Sequence, residues 1–214
     1  MENQKPTFRI GLFIDGYTFH KASNFYLHHH FARSRLSILG FKDFILHKLR
    51  PHIPKGVHPE LEAHYYHPHE DPCECDFKNA KGVLRFEEQV KELGIQFHYR
   101  NKSMPVYAHG NFDLINDLRM LAIFEEIQLA VLVSTQGFYV DVAQFMAEKG
   151  VPLLLVGWNF KFHSDHIGHE VHWHTDSLLR EHASEYIAMD EEIEQHAEGI
   201  AKLFVNPRKY NIGK

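Results

Sequence analysis

Leu129–Gly157 reads LAVLVSTQGFYVDVAQFMAEKGVPLLLVG. It opens with the apolar run Leu129–Val133, bounded by Ser134 and Gly137, the pattern of a strand covered on both faces. Tyr139–Lys149 then has helical spacing and is closed by Gly150. Val151–Val156 (VPLLLV) is a second buried strand. Strand, helix and strand in so short a span form a βαβ unit, whose right-handed crossover makes the two strands parallel.

The same rhythm extends towards the N-terminus. Arg9–Ile14 (RIGLFI) is an apolar run ending in Asp15-Gly16, a buried strand followed by a turn. Tyr17–Leu27 and Phe41–Leu49 have helical spacing, Leu61–His67 reads as a strand rich in aromatics, and His69–Asp76 as a polar loop. Asn79–Leu93 places Val83, Phe86, Val90 and Leu93 on one helical face, with Gly94 as the stop. Ile95–Tyr99 alternates like a strand, and Leu114–Ile127 is helical. Beyond Gly157 the pattern weakens, with Ser177–Ile187 and Asp190–Phe204 reading as helices. The expected fold is a three-layer α/β/α domain on a mostly parallel central sheet, spanning residues 1–189, with a C-terminal helical tail over 190–214. That tail is either surface-packed or an arm towards a partner, a homodimer being one such assembly. In such sheets ligands gather beyond the carboxyl ends of the strands, here the first and fourth.

Bulk composition narrows the function classes. The 214 residues are 44% hydrophobic and 24% charged, in keeping with one soluble domain. No run is long enough to span a bilayer, and Met1–Ile10 lacks the apolar stretch of a secretory signal. Cys73 and Cys75 lie too close for a framework disulfide, which fits a reducing cytoplasm. A formal charge of -5 argues against sequence-blind adhesion to nucleic acid, while leaving room for a local basic groove. The 19 histidines are unusual. They concentrate at His28–His30, at His64, His67 and His69, and in the run His163, His166, His169, His172 and His174.

Several residues carry candidate chemistry. Asp15 follows a hydrophobic strand, either as a rigid carboxylate at the lip of the sheet or as a turn residue capping the next helix. Asp113 and Asp117 are four apart, one turn apart on the same helical face. A hard divalent cation would relieve their repulsion; alternatively, Asp113 caps the helix and Asp117 faces solvent. Asp141 is a first-turn acid of its helix or, less simply, a further ligand. Arg33, Arg35, Lys42, Lys48, Arg50 and Lys55 form the most basic stretch, interleaved with Phe25, Tyr26, Phe31 and Phe41. That is either an RNA-contacting surface or a solvated helix face over core aromatics. The histidine run, with His67, His69, Cys73 and Cys75, suits either Zn²⁺ or Ni²⁺, or a pH-responsive loop; on one strand or a loop its spacing reaches no single face.

Phe13-Ile14-Asp15-Gly16-Tyr17-Thr18-Phe19-His20 resembles the opening motif of the NYN domains, a branch of the PIN-like nuclease superfamily. His109-Gly110-Asn111-Phe112-Asp113, continuing to Asp117, resembles that family's second acidic motif, written around Lys-Gly-x-x-Asp. Val131-Leu132-Val133-Ser134 resembles the strand leading into its Ser-Gly-Asp-x-Asp-Phe motif, and Phe145–Gly157 the following helix, turn and strand. Ser177-Leu178-Leu179 with Glu185-Tyr186-Ile187 resembles the closing segment. The likeness runs from Arg9 to Met189.

The resemblance implies a ribonuclease in which carboxylates hold Mg²⁺ or Mn²⁺ to activate water against a phosphodiester. Asp15, Asp113 and Asp117 would be the metal ligands, supported by Thr18, Asn111, Ser134 and Gln136, with single-stranded RNA as substrate. The chain also departs from the pattern. Thr18 replaces the family's Asn, and Gln136 and Phe138 stand where it carries acids. Spacing back from Ser134 places Asn111 at the second motif's usual first acid, whereas the Gly-Asn-x-Asp wording points to Asp113. Three functions follow as expectations: a metal-dependent ribonuclease, a catalytically decayed RNA-binding or regulatory protein of the same fold, and a histidine-rich transition-metal binder.

Overall fold

A computed structural model describes residues 6–73, 80–101, 111–164, 168–195 and 200–205. Six strands form one sheet in the order β3-β2-β1-β4-β5-β8, every neighbouring pair parallel. They are β1 (Thr7–Asp15), β2 (His58–Tyr66), β3 (Gln96–His98), β4 (Leu129–Val133), β5 (Leu153–Gly157) and β8 (Glu185–Ala188). β6 (Asn159–Ser164) and β7 (His169–His174) make a separate antiparallel hairpin.

Alternate residues of each strand enter opposite layers, as the pleat requires. Leu12, Ile14, Val131, Val133, Leu154 and Val156 face one core. It is closed by α1 (Gly16–His28), α2 (Ile38–Leu49), α3 (Ala80–Glu92) and α7 (Met189–Gln195). Phe13, Ala130, Leu132, Leu153 and Leu155 face the other, under α4 (Phe112–Ile123), α5 (Val140–Glu148) and α6 (Ser177–His182). This is the three-layer α/β/α arrangement the sequence implies. No helix among the described residues is long and apolar enough to cross a membrane.

Three expectations change. The expected helix Ser177–Ile187 ends at His182, where extended Ala183 and the bond from Ser184 N to the Leu153 carbonyl (2.9 Å) turn the chain into edge strand β8. The weak region after Gly157 is the β6–β7 hairpin, whose strands read poorly because each hides only alternate residues. The expected helix to Ile127 stops at Ile123: Glu125 takes a left-handed φ of 54°, and Ile127 is buried from the loop instead.

The described residues after Met189 pack on the body. Ile193, Leu203 and Phe204 join the first core, Lys48 on α2 reaches Glu192 on α7 at 2.6 Å, and Phe204 bridges Leu36. A side chain at Gly40 would collide with the Lys202 carbonyl, so glycine is what lets this segment close on α2.

Candidate functional site

From β1 the chain winds outward to β2 and β3, then returns through α4 on the opposite face to β4. The crevice beyond the carboxyl ends of β1 and β4 is therefore the switch point, where open α/β sheets receive ligands. Asp15 is the last residue of β1, and Ser134 directly follows β4. Sequence separation of over a hundred residues collapses to one hydrogen bond: Ser134 Oγ donates to Asp15 Oδ2 at 3.0 Å.

Asp15 is 2% exposed. Thr18 Oγ1 donates to the same Oδ2 at 2.8 Å, while Oδ1 accepts from Tyr17 N at 3.1 Å as the cap of α1. The network then closes on the β4 turn: Thr135 N donates to Thr18 Oγ1 (3.2 Å) and Gln136 N to Ser134 Oγ (3.1 Å). Burial dominates over these bonds and raises the Asp15 pKa to about 6, because a dry surrounding disfavours the anion. Gly16 is required next to it. A Cβ there would lie 2.4 Å from the Tyr66 carbonyl oxygen, so only glycine lets α1 start across the end of β2.

Asp113 and Asp117 sit at the same end of the sheet but belong to a second group. Asn111, not Asp113, caps α4: its Oδ1 accepts from Asp113 N (2.9 Å) and Leu114 N (3.4 Å). Its own N–H donates to Tyr139 Oη at 2.9 Å, and its Nδ2 is buried without a partner among the described residues. Asp117 accepts a 2.7 Å hydrogen bond from Tyr66 Oη, and Tyr66 is the register partner of Asp15. Burial, with Asp117 and Asp113 nearby, drives the Tyr66 pKa upwards, so this hydroxyl stays a donor. Beyond it runs a polar ladder: His98 stacks on Tyr66 (4.5 Å between ring centroids), His64 Nδ1 and His98 Nε2 are 3.0 Å apart, and Glu62 lies 3.2 Å from His64 Nε2. Burial keeps both imidazoles below the ordinary histidine range, although the nearby carboxylates pull the other way.

The turn where the resembled family carries acids is neutral and packed. Gln136 Nε2 donates to Thr135 Oγ1 at 3.2 Å, and Phe138 packs edge-on against Phe112 (4.8 Å) and Tyr139 (5.5 Å). Asp176, which sequence reasoning missed, closes the turn from outside. It caps α6, and a Cβ at Gly137 would lie 2.7 Å from its Oδ2. Asp141 is an exposed first-turn acid of α5. Tyr66 also escaped notice, since an aromatic at a strand end reads as core until its hydroxyl partner is placed.

Of the basic residues, Arg33 and Lys42 donate to the carbonyls of His28 and Leu93 at helix ends. Arg35 reaches Asn24 Oδ1 at 3.0 Å on the exposed side of α1, where Asn24 Nδ2 and His20 Nε2 are 2.9 Å apart. Lys21, also on α1, lies over the rings of Tyr17 (4.8 Å) and Trp173 (6.0 Å). His67 is buried and its pKa falls to about 4 for that reason first, and Cys73 is exposed. Cys75, His109, Gly110 and His166 lie outside the described residues.

As the side chains stand, the Asp15 station does not fit a resident Mg²⁺ or Mn²⁺. Its carboxylate is sealed, one oxygen accepts two hydroxyls, and among the described residues no three His, Cys, Asp or Glu side chains gather as a metal-ligand set. No protein-family model matches the chain, and no curated protein matches it. A crystal structure of a protein of unknown function from Vibrio parahaemolyticus RIMD 2210633 does, over 90% of this chain and 98% of that one, with 14% identity and a TM-score of 0.58. At that identity the likeness carries the fold alone.

Proposed function

We propose that this chain is an NYN-type domain that binds single-stranded RNA through the crevice at the switch point and no longer hydrolyses it with a divalent metal. The observation that carries the reading is the Asp15 station. Its charge is buried and its oxygens are engaged by Thr18, Ser134 and Tyr17 N–H, where a metal site would leave lone pairs open. The neutral, packed turn of Gln136 and Phe138 points the same way, because each missing acid raises the electrostatic cost of holding a hard dication.

Support for RNA comes from the exposed rim of α1. Lys21 and Arg35 provide cations, Tyr17 and Trp173 provide ring faces, and His20 lies within electrostatic reach of Arg35 and His69. Cations meeting phosphates and rings meeting unpaired bases are the two contacts single strands use. A patch this small suits a protein of formal charge -5, which attracts RNA locally rather than over its whole surface.

The test is fluorescence anisotropy of a labelled single-stranded RNA in EDTA, for the wild type and a Lys21→Ala/Arg35→Ala variant. Binding in EDTA that weakens in the variant supports the reading, and no binding by the wild type overturns it. Binding that requires Mn²⁺ and ends in cleavage would return the site to the ribonuclease reading.

A further inference from the structure

His20, Arg35, His67, His69 and Arg100, far apart in sequence, meet around the carboxyl ends of β1, β2 and β3. Because Gly16 lets α1 start across the Tyr66 carbonyl, the first turns of α1 pass over the point where the chain leaves β2 as His67 and His69. The rings of His67 and His69 are 5.5 Å apart, and Arg100 N donates to the His69 carbonyl at 3.0 Å. On the α1 side Arg35 donates to Asn24 Oδ1 at 3.0 Å, so the Asn24 amide nitrogen is the donor towards His20 Nε2 at 2.9 Å. That bond occupies the Nε2 lone pair and leaves the ring proton of His20 on Nδ1. Partial burial first, and then neighbouring positive groups, hold two of these imidazoles below the ordinary histidine range: Arg35 and His69 act on His20, and Arg100 acts on His69. Glu70 pairs with Arg100 at 3.3 Å, yet Arg100 Nε is buried without a partner among the described residues. Groups that are positive, or become so on protonation, disfavour one another's charge until an anion lies between them.

We propose that His20, Arg35, His69 and Arg100 form a subsite for a phosphate monoester, the phosphorylated end of a single-stranded RNA. The subsite rests on the RNA reading and adds to it the end group that the crevice selects. A phosphate monoester carries a charge of about -1.5 to -2 at neutral pH and three strong acceptor oxygens, more than an internal diester offers. It can therefore accept from a guanidinium fork and from imidazole N–H groups at once. Arg35 brings the fork, and His20 brings its Nδ1 proton. Tyr17, His20, Lys21 and Asn24 recur at helical spacing along the outer side of α1. Lys21 lies over Trp173 of the hairpin, while His20 is within electrostatic reach of His69 on the other flank. The ring faces that take a base and the donors that take its terminal phosphate are thus one helical turn apart, about 5 Å along the axis.

Fluorescence anisotropy of an internally labelled single-stranded RNA in EDTA tests it, with one sequence carrying a 5′-phosphate, a 3′-phosphate, or hydroxyls at both ends. One phosphorylated form should bind the wild type about tenfold tighter than the hydroxyl-ended form, the effect of a single hydrogen bond to a charged group. Which end is preferred reports the direction of the strand along α1. His20→Gln and His69→Gln should each shrink that ratio, because Gln keeps a polar arm but cannot carry charge, and the double variant should bring it close to unity. Equal affinity of the wild type for all three forms overturns the subsite and leaves the RNA reading standing. An undiminished ratio in a folded His20→Gln/His69→Gln variant also overturns it, since the preference then arises elsewhere. Absence of binding by every form overturns the RNA reading, and the subsite with it.

Discussion

Replacing Asp15 with Asn separates the charge of this residue from its shape. The native pKa of about 6 lies above the ordinary 3.8, so the folded state holds the proton more tightly than the unfolded chain. Stability is therefore full below about pH 4, declines as pH rises towards 6, and stays at the lower level above that. Two units at about 1.4 kcal/mol each make the ionisation of Asp15 cost about 3 kcal/mol at neutral pH. Asn keeps the cap on α1, since its Oδ1 accepts from Tyr17 N, and the Thr18 and Ser134 hydroxyls can turn to accept from its amide. Urea unfolding of wild type and Asp15→Asn at pH 4 and pH 8 measures the effect. The variant should gain about 2–3 kcal/mol relative to wild type between the two pH values, other titrations cancelling in the difference. A stability difference that is the same at both pH values would mean that Asp15 does not ionise at a cost.

Three further outcomes follow from the same geometry. Tyr66→Phe removes the donor to Asp117 and should lower stability by about 1 kcal/mol, read by urea denaturation, because it strips one hydrogen bond and leaves the carboxylate unpaired. Gln136→Asp adds an acid beside the Asp15 station with little change in volume; it should lower stability without metal and raise Mn²⁺ affinity by calorimetry. Phe138→Asp is the poorer probe, since losing its packing against Phe112 and Tyr139 costs a further few kcal/mol. In the Lys21→Ala/Arg35→Ala variant the salt dependence of RNA affinity should flatten, the log–log slope falling by about 0.7 for each phosphate no longer neutralised.

The parallel sheet was legible because its central strands are apolar on both faces: Leu129–Val133 matches β4 to the residue. The hairpin and β8 were not: the hairpin strands are covered on one side only and show a weaker pattern, and β8 is a short edge strand that follows closely on the helix α6. Asp15 was legible because it ends a buried strand, whereas Thr18 and Ser134 were named only through the resemblance to the NYN motifs, and it is their hydrogen bonds to Asp15 that bring the three together. The pairing of Asp117 with Tyr66 was invisible, because it joins two elements through a hydroxyl with no local signature. Asp176 escaped for a similar reason, as a helix cap whose back face closes the β4 turn. The histidine run looked scattered over several faces when read along one strand. Only the register of β6 against β7 sets His163, His172 and His174 on the same side.

Whether RNA is held at this site without metal-dependent cleavage is decided by a time course of labelled single-stranded RNA with wild-type protein in excess Mn²⁺. The RNA should be bound and stay intact, to the same extent as in EDTA and in the Asp15→Asn variant. Mn²⁺-dependent strand scission that EDTA stops and Asp15→Asn abolishes would make the protein a working nuclease instead.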